Sequence, residues 1–158
     1  AGGTWVPIAL AHSGYPAAEA TGAYGVLWGG IMAGRAVGGL VVDRLGIART
    51  VLVSGIMAVT GVVLFMFNDQ LHLLYLALAL WALGISNGFP LSINSFSDDT
   101  AHSAARINNI ITGAFVVNLA MAPIIGLVGQ VFGLSFAFVI PAALLVLGIA
   151  LNKVLRPI

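Results

Sequence analysis

Five long apolar runs, 18–42, 48–67, 72–94, 107–129 and 132–152, occupy most of this 158-residue chain. A helix rises 1.5 Å per residue, so each run can cross a hydrocarbon core of about 30 Å. Hydrocarbon offers no partner for a backbone amide, and a segment inside it must satisfy its own hydrogen bonds as a helix. The chain therefore reads as an all-α integral membrane helical bundle. A sixth apolar stretch, 1–12, is too short to cross, because Gly2 to His12 reaches only about 16 Å. It reads as the end of a helix that begins upstream, and the missing initiator Met agrees with a chain cut from something longer.

Composition removes several function classes. Apolar residues make up 60% and charged residues 7%, where a soluble domain carries about 25% charged; mean hydropathy is +1.08. A net charge of +1 provides no field for nucleic acid. Without cysteine there is no disulfide and no thiolate metal site. His12, His72 and His102 fall at expected membrane faces, never at metal spacing within one helix. We find no signal-peptide n-region, Gly-x-Ser-x-Gly, phosphate loop or paired intramembrane carboxylate. The expectation is a non-enzyme without metal or other cofactor, whose partners are the bilayer and a small solute.

The few charges gather at the joints. Between the first two full spans runs Gly-Gly-Leu-Val-Val-Asp-Arg-Leu-Gly-Ile-Ala-Arg, residues 38–49, with Asp43, Arg44 and Arg49 inside seven positions. If the spans alternate, Arg44, Arg49, Arg106, Lys153 and Arg156 share one side, and the other side holds His12, Glu19, Asp69 and His72. The positive-inside rule makes the basic side cytoplasmic, with the C-terminus on it. Trp5, Pro7, Tyr15 and Pro16 then suit the outer aromatic belt.

Polarity is unequal among the spans. Inside the ends of the runs 48–67 and 132–152 almost nothing is polar, Ser54 and Thr60 in one and Ser135 in the other, whereas the other three hold Arg35, Ser86, Asn87, Asn94, Asn108, Asn109, Thr112 and Asn118. Buried amides and guanidinium groups avoid lipid, which predicts a lipid-facing periphery for 48–67 and 132–152 and an interior lined by the rest. On the first full span, Tyr24, Trp28, Ile31 and Arg35 share a face by their spacing. Gly22, Gly25 and Gly29 flank it on one side and Gly30, Gly34 and Gly38 on the other, spacings that let helices approach closely. Arg35 lies about 7 Å inward of the span's midpoint, with no acidic residue of the chain placed to pair with it. Its partner is a cavity, a substrate, a group in another segment, or the cytoplasmic face reached by snorkelling. Pro90 and Pro123 break the ladder beside Asn87 and Asn118, where freed carbonyls would bind a solute or the kinks simply bend the helices.

The hinge resembles the cytoplasmic loop signature of the major facilitator superfamily of secondary transporters, Gly-x-x-x-Asp-Arg-x-Gly followed by basic residues. Gly39, Asp43, Arg44 and Gly46 match it, while Ile47 and Ala48 stand where basic residues are usual and Arg49 comes one place late. The resemblance implies the C-terminal six-helix half of such a transporter, spanning 1–158, with its third and sixth helices outside and an N-terminal half as partner. It implies alternating access, with Asp43 in a conformational role. Arg35 is also spaced like the anion-binding arginine of the superfamily's nitrate and nitrite porters. The expected cavity residues are Arg35, Tyr24, Trp28, Asn87 and Asn118, the expected substrate an organic or inorganic anion, and the expected location a bacterial inner membrane. A sugar or drug permease remains open, as does a structural or assembly membrane protein without transport.

Overall fold

The computed structural model describes residues 2–88, 91 and 103–152. They form α1 Gly2–His12, α2 Ala17–Leu45, α3 Ile47–Phe67, α4 Leu71–Ser86, α5 Ser103–Phe132, α6 Leu134–Ala137 and α7 Val139–Asn152. All regular structure among the described residues is helical. The helices α2 and α3, the bulk of α5 and the α6–α7 stretch Leu134–Leu151 are each long and apolar enough to cross a membrane. The protein is an all-α, multi-pass membrane protein. Pro90, Asn94, Lys153 and Arg156 lie outside the described residues.

The helix boundaries refine the sequence reading at several joints. α2 runs to Leu45, so Asp43 and Arg44 occupy its last turn and the joint to α3 is Gly46 alone. Gly46 has φ +76°, the left-handed region where a side chain is disfavoured. Its N–H donates to the Val42 carbonyl at 2.8 Å, and its own carbonyl receives the Thr50 hydroxyl at 2.8 Å. One glycine thus ends one helix and starts the next. α4 ends at Ser86 after 16 residues, about 24 Å of rise; Gly88 and Leu91 are again helical, and the rest of the expected run to 94 lies outside the described residues. α5 continues as a helix through Pro123 for 30 residues, where proline offers no N–H to the Leu119 carbonyl. The last expected span is instead divided at Phe138.

Packing centres on α4, which lies against both α2 and α3, while α3 also packs on α7. Two glycine notches bring α3 and α4 to backbone contact. A Cβ on Gly61 would sit 2.4 Å from the Trp81 nitrogen, and one on Gly84 2.4 Å from the Ala58 nitrogen. Each helix supplies the notch for the other's main chain. Beside them Phe65, Trp81 and Phe138 close the core, Phe138 meeting Phe65 at 5.1 Å and Trp81 at 5.8 Å edge to face, the favoured aromatic geometry. Gly55 similarly receives Ile149 of α7.

This arrangement departs from the one expected from polarity. Apolar α3 has the largest buried share of the four membrane-length helices, and the polar-studded α5 the smallest. Polar residues mark a face that avoids lipid, but small residues decide which helices of this chain touch. α3 is notched at Gly55 and Gly61, where other helices of the chain press in. α5 packs chiefly on α6 and meets α1 where Trp5 lies over Gly126.

Candidate functional site

The face of α2 beside its packing stripe carries the residues singled out in the sequence, with Ile31 of that face half-buried against the core. Ala23, Leu27, Gly34 and Gly38 are buried, whereas Tyr24, Trp28 and Arg35 are exposed. The rings of Tyr24 and Trp28 lie 6.1 Å apart at 55°, and Trp28 rests over Gly3 of α1. No carboxylate of the described residues pairs with Arg35. An aromatic pair and a guanidinium therefore share one open strip, with Arg35 about 10 Å further along the helix axis than Trp28.

The two glycine flanks fare differently. Cβ atoms on Gly22, Gly30 and Gly34 would collide with Tyr75, Ala82 and Ser86 of α4, and one on Gly38 with Asn87, which caps α4. Gly25, Gly29 and Gly39 meet nothing within 4 Å. One glycine ridge is used for packing within the chain, and the other lies open beside the Arg35 strip.

The two asparagines expected with Arg35 are not brought to it as a cluster. Asn87 is half-buried between α2 and α4, its Nδ2 donating to the Gly34 carbonyl at 3.0 Å. Asn118 is exposed on α5, and α5 shares no packed interface with α2. Asn87 caps the end of α4 and satisfies its amide across the helix pair, while α5 runs on past Asn118 through Pro123.

At the hinge, Asp43, Arg44 and Gly39 are exposed. Arg44, a cation at a helix C-terminus, complements the helix dipole; Asp43, an anion there, opposes it. Gly39 is not required by packing, in contrast to Gly46, whose backbone demands glycine.

Several features had no legible signal in the sequence. Tyr75 donates to the Glu19 carbonyl at 3.1 Å, and Tyr15 donates to the Asp69 carbonyl. Both tie positions more than fifty residues apart in the chain. A cavity of about 360 Å³ opens between α3, α4 and α7, lined by Ser54, Gly55, Gly84, Leu144, Gly148 and Ile149 among others. No cluster of His, Asp or Glu among the described residues could hold a metal ion. Comparison with protein-family models, curated proteins and solved structures returns no match.

Proposed function

We propose that this chain is one six-helix half of a secondary transporter of the major facilitator type, which moves a small anion by alternating access. The observation that carries the reading is the open strip of α2. A guanidinium without a carboxylate partner in the described chain stands on a membrane-length helix beside two exposed aromatic rings. Leaving a guanidinium in lipid costs from about 3 to over 10 kcal/mol, so the strip lines water, a substrate path or the facing half. Under this reading the partners are a small-molecule anion, the bilayer and a second six-helix half, and the location is a bacterial inner membrane. The pair Tyr24–Trp28 favours a second reading, a sugar or drug permease, because aromatic faces bind apolar ring surfaces. A transport panel of nitrate, benzoate, a hexose and a cationic dye separates the two: the anions are carried and the others are not.

Topology is the first support to test. Cysteines replacing Ala48 and Ala104 are expected to resist an externally added, membrane-impermeant thiol reagent, while one replacing Asp69 reacts. The reverse pattern overturns the orientation and the role of the hinge with it.

Asp43 acts in this account as a latch. A carboxylate in the last turn of its own helix is disfavoured there, so its value lies in a contact with the positive N-terminus of a helix in the facing half. Such a contact is worth about 0.3–2 kcal/mol, enough to bias a two-state equilibrium severalfold. Asp43→Asn is expected to reduce uptake severalfold while equilibrium anion affinity changes less than about twofold. A large loss of affinity with unchanged turnover contradicts the latch.

A further inference from the structure

The contact between α2 and α4 at its inner end is keyed more closely than helix packing requires. Cβ atoms on Gly34 and Gly38 would sit 2.2 Å from the Ser86 Oγ and 2.0 Å from the Asn87 Oδ1. The Ser86 and Asn87 side chains fill the two notches in α2. Ser86 is held in its notch by donating to the Leu83 carbonyl at 2.7 Å, and Asn87 reaches across to the Gly34 carbonyl at 3.0 Å. A backbone carbonyl has two lone pairs, of which the helix ladder uses one. The missing Cβ at Gly38 leaves the other open to Asn87. Gly34 directly precedes Arg35.

The remaining contacts along this interface are less directional. Ala82 sits against Gly30 with a methyl group only, which sets how near the helices lie but not their rotation. The other polar tie, Tyr75 to the Glu19 carbonyl, is 15 residues from Gly34, about 22 Å along the axis. Near Arg35, Asn87 supplies a hydrogen bond across the interface where Ser86 and Leu83 supply packing. In a bilayer such a bond has no water to compete with it.

We infer that Asn87 is a positioning residue: by holding the Gly34 carbonyl, its amide fixes the rotation of α2 at Arg35 and so the direction in which the guanidinium faces. The inference rests on the reading of Arg35 as an anion-facing group, but the position itself is measurable without that reading. It also moves Asn87 from the substrate's own shell to the scaffold behind it.

The test is a double-variant cycle in the full-length protein, comparing Asn87→Ala, Gly38→Ala and both together. Three quantities are read: thermal stability, affinity for nitrate and benzoate as probe anions, and the alkylation rate of a cysteine replacing Arg35 in each background. Gly38→Ala alone pushes on the Asn87 amide and lowers stability. Adding Asn87→Ala vacates that space for the new methyl group, so the double variant regains stability. It does not regain the hydrogen bond. The expected result is that Asn87→Ala and the double variant both bind the anions about tenfold more weakly than wild type, and that both shift the alkylation rate at position 35 severalfold. Recovery of affinity and alkylation rate together with stability in the double variant overturns the inference, because the contact is then packing alone. An unchanged alkylation rate in Asn87→Ala overturns it as well. A shifted rate in a protein that binds neither anion keeps the positioning role and removes the anion reading of Arg35.

Discussion

Gly61→Ala and Gly84→Ala are each expected to destabilise the protein at the top of the range for overpacked cores, about 3 kcal/mol. The reason is what the added methyl group meets. At Gly61 the nearest atoms are the Trp81 nitrogen and the Ala77 carbonyl oxygen, and at Gly84 the Ala58 nitrogen and the Ser54 carbonyl oxygen. These are main-chain atoms of a packed helix, so neither site relaxes by turning a side chain. The helices must separate, which also loosens Phe65 and Trp81 against Phe138. Gly148→Ala is the control. Its Cβ meets nothing within 4 Å, and alanine is the better helix former by about 1 kcal/mol. Thermal unfolding in detergent is expected to show a marked loss for the first two and none for the third. Wild-type stability in Gly61→Ala and Gly84→Ala contradicts the α3–α4 interface described above.

The second large effect is at Arg35. Arg35→Lys keeps the charge and loses the planar fork that matches a carboxylate or nitrate at two points. Loss of a charge-assisted hydrogen bond is worth about 1.5–3 kcal/mol, so anion affinity is expected to fall about ten- to a hundredfold with thermal stability nearly unchanged. Arg35→Gln, which removes the charge, is expected to abolish uptake. If Arg35 instead pairs with a carboxylate of the facing half, lysine is partly tolerated and neutralising both partners restores stability. If the side chain only snorkels to the membrane face, Arg35→Gln transports normally. Uptake and unfolding measured on both variants separate these cases.

What the sequence could and could not reveal follows from the range of each interaction. Helix identity was legible because length and hydropathy act locally; that Gly46 alone forms the joint was not, because its positive φ shows only in the fold. Spacing placed Tyr24, Trp28, Ile31 and Arg35 on one face, but not which of them are exposed: Ile31 is half-buried against the core. The glycine ridge was misread in part. Gly22 and Gly30 fall on different flanks in a wheel projection, yet both touch α4, because the contact follows an i, i+4 ridge that winds around the helix. The burial of α3 was missed since its notches matter only once a partner backbone is present. The pairing of Asn87 with Gly34 joins positions 53 residues apart, which no local pattern encodes. Asn118 was grouped with Arg35 by its depth in the membrane, and depth alone does not make two helices neighbours.

The central claim, alternating access to an anion, is tested most directly by counterflow. The full-length protein is reconstituted into vesicles preloaded with unlabelled nitrate or benzoate, and entry of the same labelled anion is followed from outside. The account predicts saturable entry that is faster into loaded than into empty vesicles, because a returning carrier is quicker when occupied, and loss of that acceleration in Arg35→Gln. Entry no faster than in protein-free vesicles, from a protein verified as folded and inserted, contradicts it.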